Sequence, residues 1–437
     1  TWVSKRMTQL YDQYLGDAWK RNPQDPEAWE RVAEIPDEEL WSVLESQRSD
    51  LVRFVRKRLV RDLGRRNVGR TDLEMINGVL DPRVLTIGFA RRFATYKRAT
   101  LMLNDSARLM QILNHPERPV QIVIAGKSHP RDDGGKTLIQ HLVKFINEGG
   151  GRARMVFLED YDMQVARQLV QGVDLWLNNP RRPHEASGTS GMKVVPNGGL
   201  NCSILDGWWD EGYAPGVGWA IGDRSEQGDE GHQDWLDSRS LYDLLEHEIT
   251  PVFYHRVERG IPQGWLNMVR RSIMQHAPYF STSRMVSDYA RKYYVPAARA
   301  YQSLTADHCL RARQALDWRS RVRENWGRVG FVSLTDTAGT QNRVGGKFVL
   351  TAKVHLGNLA PSEVKVEALV GRIGSNRELV ETRPIELQSV GLTDGVHTFE
   401  ATIACDLPGH LGYVARISPS HPDVHVPSEL GLVSWSS

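Results

Sequence analysis

The chain has 437 residues, 40% hydrophobic and 25% charged, enough to bury more than one core, so two or three domains are expected. Its 55 basic and 53 acidic side chains leave a formal charge of +2, which excludes a global field for nucleic acid or an anionic membrane and makes any anion binding local. No apolar run approaches the roughly 20 residues of a bilayer crossing, no secretory pattern opens the chain, and Cys202, Cys309 and Cys405 lie far apart without a CxxC pair; a cytoplasmic protein without disulfides or structural zinc is expected.

The sequence opens at Thr1 in mid-pattern, as a fragment would, and residues 1–76 read as helical. Leu51, Val55, Leu59 and Leu63 recur at helical spacing and predict one buried face. Arg53, Arg56, Lys57, Arg58, Arg61, Arg65, Arg66 and Arg70 in the same stretch read as its solvated side.

From 83 the rhythm becomes that of alternating strands and helices. The runs VLTIGFA (84–90), VQIVIAG (120–126), RMVFLE (154–159) and VDLWL (173–177) are almost continuously apolar, as parallel strands covered on both faces must be. Helical spacing at 101–113, 138–146 and 163–170 joins them, so an α/β domain with a doubly wound parallel sheet is predicted over 77–325. Such a sheet binds its ligand at the carboxyl ends of its strands. A polar loop over 222–232 precedes a return to helix at 240–324. From 326 to 437 the segments 348–356, 363–370, 397–405 and 412–418 alternate apolar and polar residues, which predicts a small antiparallel β-sandwich.

Two segments carry candidate chemistry. EASGTSGMK, Glu185–Lys193, joins a carboxylate, a turn of small residues from Ser187 to Gly191 and a lysine; small residues let backbone amides approach an anion. GFARRFATYKR, Gly88–Arg98, brings Arg91, Arg92, Lys97 and Arg98 to the end of the first strand, where cations are unusual unless an anion is held. Lys127 ends the next strand and is aimed by the sheet at the same crevice. HPDVH (421–425) has no carboxylate cluster near it, so no metal is expected, and neither a GxSxG elbow, an HExxH helix nor a Walker loop is present.

These two segments together resemble the signature pair of the α-glucan phosphorylases, and NGGLNCSILDGWWDEGY (197–213) resembles their shorter bacterial branch. The similarity extends over essentially the whole chain, which corresponds to the carboxy-terminal half of such an enzyme. It implies a GT-B fold of two facing Rossmann-like domains, of which this chain carries the second, and pyridoxal 5'-phosphate on Lys193 through a Schiff base. Gly188, Thr189, Ser190 and Arg91 are implied to hold the cofactor phosphate, with Tyr161 against the cofactor. Arg92 and Lys97 would hold the substrate phosphate, Glu185 a glucose hydroxyl, and Ser187 and Gly188 would lie by the sugar. The implied reaction is retaining phosphorolysis of an α-1,4-glucan by inorganic phosphate to α-glucose 1-phosphate, with the cofactor's phosphate exchanging a proton with the substrate's. Two adjacent phosphates repel, so the site needs concentrated cations, as Arg91, Arg92 and Lys97 supply. The implied partners are glucan, phosphate, a separate amino-terminal half or a second copy, and neither nucleic acid nor membrane.

Two departures stand out. Arg91 occupies a position where the long enzymes have lysine, and Pro196 must shorten any helix begun near Ser190. Two other readings remain. One is a nucleotide-sugar glucan synthase of the same fold, which commonly has a glutamate where this chain has Lys193; the other is an inactive glucan-binding relative.

Overall fold

The computed structural model describes residues 2–64, 75–148, 153–225, 227–257, 260–338, 344–374, 378–406, 409–424 and 426–436. The chain divides into two units, residues 1–288 and 289–437.

The first unit is built on a six-stranded sheet: β1 (Leu85–Arg92), β2 (Val120–Lys127), β3 (Met155–Leu158), β4 (Leu175–Asn178), β5 (Leu200–Ile204) and β6 (Gly218–Ile221). The spatial order is β3-β2-β1-β4-β5-β6, and every pairing is parallel. The four strands expected from apolar runs are found within a few residues of their predicted bounds. β5 and β6 were not predicted. β5 carries Asn201 and Ser203, which break the apolar run yet are buried and hydrogen-bonded, Asn201 to Gly191 O at 3.3 Å and Ser203 from Asn178 at 3.0 Å.

Successive residues of β1 enter opposite cores. Leu85, Ile87 and Phe89 join one cluster with Leu109, Ile112 and Leu142 from helices Ser106–Leu113 and Asp133–Glu148. Ala90, with Val123, Ala125 and Trp176, joins another with Leu51 and Val55 and with Val165 and Leu169 from helix Met163–Gly172. Helices therefore cover both faces, and burial of each valine, leucine, isoleucine or phenylalanine among them contributes roughly 1.5–3 kcal/mol. The strand order reverses between β1 and β4, so the loops leaving their carboxyl ends diverge and open a crevice there.

Leu51 and Val55 lie on the long helix Asp37–Gly64, which opens with Asp37, Glu38 and Glu39 at its positive end. The predicted buried face is found at Leu51, Val55 and Leu59, while the side chain of Leu63 lies outside the described residues. The solvated side is only partly as expected. Arg53, Lys57 and Arg61 are exposed, but Arg56 donates to Val79 O at 2.9 Å and to Leu80 O at 2.6 Å. Arg58 is buried, donating to Glu159 O at 3.0 Å and pairing with Asp62. Carbonyls ending neighbouring segments need donors, and these arginines supply them. Arg65, Arg66 and Arg70 lie outside the described residues.

The second unit contains helix Val295–Asn325, with non-helical backbone at residues 306–309, and two antiparallel four-stranded sheets. One orders β10 (Leu379–Glu386), β9 (Val364–Ile373), β13 (Leu411–Pro419) and β14 (Ser434–Trp435); the other orders β11 (Gln388–Thr393), β12 (Val396–Ala404), β8 (Lys347–His355) and β7 (Gly330–Asp336). Inward residues of both, including Leu350, Val354, Val366, Ala368, Ile403 and Ile417, share one core. The four predicted strands are present. β11 is exposed along its whole length and so lacks the alternation that marks a half-buried strand.

Candidate active site

The carboxyl ends of β1 and β4 bring the predicted cations and carboxylate together. β1 is buried through Ala90 and then emerges, so Arg91 stands at the mouth of the crevice with its side chain 10% exposed. A short turn, Thr95–Lys97, follows and swings Lys97 back. From the β4 side, Glu185 reaches the same point, 9% exposed. Its Oε2 pairs with Arg91 Nη2 and lies 3.1 Å from Lys97 Nζ, which is 3.4 Å from Oε1. The backbone N–H of Glu185 donates to Asp206 Oδ2 at 2.9 Å, which fixes the main chain beneath the carboxylate.

Arg91 is under-satisfied. Its Nε and Nη1 are buried without a hydrogen-bond partner among the described residues. Burial lowers its guanidinium pKa from the ordinary value, with Glu185 acting in the opposite direction. Unmet buried donors cost about 1–3 kcal/mol each, so Glu185 alone does not satisfy this guanidinium, a condition it shares with Arg181, Arg256 and Arg270. Arg92, next in the strand, is exposed beside Lys127, its partner in register, also exposed; among the described residues neither forms an ion pair.

Arg98 departs from the expectation that it faces an anion. It adopts a left-handed backbone (φ 48°) and is buried. Its Nε donates to Asn179 O at 3.0 Å and Nη2 to Pro180 O at 2.8 Å, while Nη1 pairs with Asp237 at 2.7 Å and Asp234 at 2.9 Å. Asn179 Nδ2 returns a bond to Arg98 O at 3.1 Å. The charge is consumed in fastening the loop that carries Lys97 to the loop that leads to Glu185, and no local sequence signal announces aspartates so distant in the chain.

The small-residue turn is fastened in the same way. Gly188 takes φ +77° and precedes the six-residue helix Thr189–Val194. A Cβ built on Gly188 would lie 3.6 Å from both Glu185 Cγ and Trp208 Cδ1, so the turn sits against the aliphatic stem of Glu185. Ser187 O accepts from Trp208 N at 2.8 Å, and Gly207, at φ +56°, leaves no room for a side chain against that carbonyl. Thr189 is exposed, Ser190 is half-buried, and Gly191 is buried against Asn201 and Trp208. The helix stops before Pro196, as the proline requires.

Lys193 projects from this helix, partly buried. Its Nζ lies 3.4 Å from Thr189 Oγ1 and 4.7 Å from the ring centre of Trp2. No carboxylate pairs with it among the described residues, and burial lowers its pKa from the usual lysine value. Trp2 was not singled out from the sequence, where a lone tryptophan near a terminus gives no signal; its carbonyl accepts from Gln171 and Asn197, which anchors it beside the lysine. Tyr161 is half-buried against the core beneath β2 and β3, and burial raises its hydroxyl pKa. A cavity of about 220 Å³ adjoins the Glu185 loop, lined by His184, Ile204, Ser225, Gln233 and Asp237 among others.

In HPDVH, His421 packs on Trp318 with ring centres 4.8 Å apart and accepts from Asp423 N at 3.1 Å; His425 lies outside the described residues. Among the described residues, Asp243, Glu246 and His247 form one cluster of metal-ligand types, but Arg108 already pairs with both of its carboxylates. No described helix is long and apolar enough to cross a membrane.

Comparison with known proteins follows the same lines. A family model described as carbohydrate phosphorylase matches residues 2–209, and one described as glycogen phosphorylase C-terminal domain matches residues 326–437. The chain is 42% identical to a glycogen phosphorylase of Mycobacterium bovis over 437 residues, covering 99% of the chain and 50% of that protein. It is 37% identical to a maltodextrin phosphorylase of Thermococcus litoralis over 440 residues, covering 100% of the chain and 51% of that protein. A glycogen phosphorylase of Aquifex aeolicus is 42% identical over 295 residues, 67% of the chain and 42% of that protein. The chain thus spans about half the length of the curated relatives it matches.

Proposed function

The chain belongs to the carbohydrate phosphorylase family, and from that premise we propose that it carries the cofactor and phosphate half of an α-1,4-glucan phosphorylase. The reaction is reversible phosphorolysis: inorganic phosphate takes the terminal glucosyl unit of a glucan as α-glucose 1-phosphate, with retention. The partners are the glucan, phosphate or glucose 1-phosphate, and either an amino-terminal half or a second copy of the chain; we read the setting as cytoplasmic. In fold terms the proposal is a helical segment over 1–76, the second Rossmann-like domain of a GT-B pair over 77–325, and a β-sandwich over 326–437.

The observation that carries the reading is the meeting of Arg91, Lys97 and Glu185 where the strand order reverses, with two N–H groups of Arg91 still lacking acceptors. A phosphate would complete them. Pyridoxal 5'-phosphate fits the residues on two independent counts: an uncompensated amine of lowered pKa at Lys193, and unmet buried donors for a phosphate at Arg91. Lys193 would hold it, Arg91 and the turn Gly188, Thr189 and Ser190 would hold its phosphate, and Tyr161 would lie against it. When bound, that phosphate supplies a proton donor and acceptor beside the substrate phosphate.

The chain's own residues do the rest. Arg92 and Lys97 bind the attacking phosphate and hold its charge under the sugar, where positive charge develops as the glycosidic bond breaks. Glu185 accepts a hydrogen bond from a glucose hydroxyl, with Ser187 and Gly188 alongside. Arg98 acts one step removed, setting the spacing of Lys97 and Glu185.

The test is product formation. The chain, mixed with a separately produced amino-terminal half and pyridoxal 5'-phosphate, should release glucose 1-phosphate from maltodextrin and phosphate, and Arg92→Ala should reduce this by at least about a hundredfold, the scale of losing one charge-stabilising group. A mixture that assembles yet forms no product would contradict the assignment.

A further inference from the structure

The two cations assigned to phosphates both end on the carboxylate assigned to the sugar. Arg91 and Lys97 come from β1 and the turn after it; Glu185 comes from the other side of the crevice, with its main chain pinned to Asp206. All three side chains are about nine-tenths buried. Glu185 therefore cannot be treated as a spectator to anion binding: one of its oxygens is shared between a guanidinium and an ammonium, and the hydrogen bonds it receives are those a phosphate would need. Lys97 has a single Nζ, and its directed contacts, at 3.1 and 3.4 Å, are both to this carboxylate. A dianion drawn to Lys97 meets a carboxylate already there, and like charges this close in a poorly hydrated site repel strongly.

We propose that Glu185 is an internal competitor of the substrate phosphate for Lys97, and that binding of that phosphate displaces its carboxylate from Lys97 and releases it toward the sugar. The proposal rests on the reading of this site as one for phosphate and sugar. The pinned backbone makes the exchange local: the side-chain torsions of Glu185 turn while the loop stays where Asp206 and Arg98 hold it. The consequence is coupling. Phosphate frees the lone pairs that a glucose hydroxyl needs, and by linkage a sugar that draws Glu185 away strengthens phosphate binding by the same factor. The site thereby favours having both substrates over having either.

The test uses the 437-residue chain carrying pyridoxal 5'-phosphate, so that the cofactor's own phosphate site is filled, with inorganic phosphate as the probe, titrated calorimetrically at fixed ionic strength, in the wild type and in Glu185→Asp and Glu185→Gln. Aspartate keeps the negative charge but is one methylene too short to bridge both cations, so it separates contact from mere field. Circular dichroism checks that each variant is folded, and two variants are made so that collapse of one leaves the other to decide. Competition by contact predicts that Glu185→Asp binds phosphate about tenfold more tightly than wild type, within the range usual for coupled sites, and that Glu185→Gln also binds more tightly than wild type. Unchanged or weaker binding by Glu185→Asp, or by Glu185→Gln where it alone folds, overturns the proposal. Should Lys193 still take up pyridoxal 5'-phosphate, only the competition fails; absence of both phosphate binding and Lys193 labelling in the wild type sinks the site reading beneath it as well.

Discussion

The two ends of the same pair of strands hold contrasting ion clusters. At the amino ends of β1 and β4, Arg48 Nη1 lies 2.6 Å from Asp174 Oδ1, with the side chains 1% and 4% exposed. Asp174 Oδ2 accepts from Thr86 N at 2.8 Å, Arg48 Nε donates to Pro82 O at 2.7 Å, and the guanidinium stacks near Trp41 and Phe253. This cluster welds the long helix to the sheet. At the carboxyl ends, two cations share Glu185 and Arg91 keeps two buried donors unmet. The Arg48–Asp174 pair has both of its charges met and holds the fold; Arg91, with one arm committed to Glu185, stands where the strand order reverses and a ligand would enter.

That contrast can be broken in graded steps. The largest stability loss belongs to the amino end: Asp174→Ala strands a buried guanidinium and should cost about 3–5 kcal/mol, read as a lowered urea midpoint at unchanged slope. Arg98→Met, between the two regions in character, should cost roughly 1.5–3 kcal/mol through its lost charged hydrogen bonds. It should also weaken phosphate binding, because Lys97 and Glu185 lose their common strut. Arg91→Met leaves Glu185 paired with Lys97 and should change the unfolding free energy by less than about 1 kcal/mol, yet weaken retention of pyridoxal 5'-phosphate, read as its loss on dialysis. A midpoint loss at Arg91 as large as at Asp174 would erase the distinction between the clusters.

The sequence made the apolar parts legible. Strands β1 to β4 and the inward faces of β8, β9, β12 and β13 follow from continuous or alternating burial, because the hydrophobic period is itself the structure. It failed where burial is polar or absent: β5 with its buried Asn201 and Ser203, β6 with four residues, β11 with none buried. In the site, Glu185 and Lys193 stood out as residue types in a small-residue turn. The division of labour among Arg91, Arg92, Lys97 and Arg98 did not, since four neighbouring cations look alike until Asp234 and Asp237, 136 and 139 positions away, take one of them. Trp2 over Lys193 is likewise a contact between chain segments far apart in sequence.

Whether Lys193 holds the cofactor is decided by incubating the chain with pyridoxal 5'-phosphate, reducing with borohydride and mapping the added mass. One adduct per chain is expected, on Lys193, absent in Lys193→Ala. Because burial lowers the Lys193 pKa, its free amine persists to lower pH than that of a free lysine, whose pKa is about 10.4, and labelling should extend correspondingly toward neutral pH. Adducts scattered over surface lysines, or none at Lys193, would contradict it.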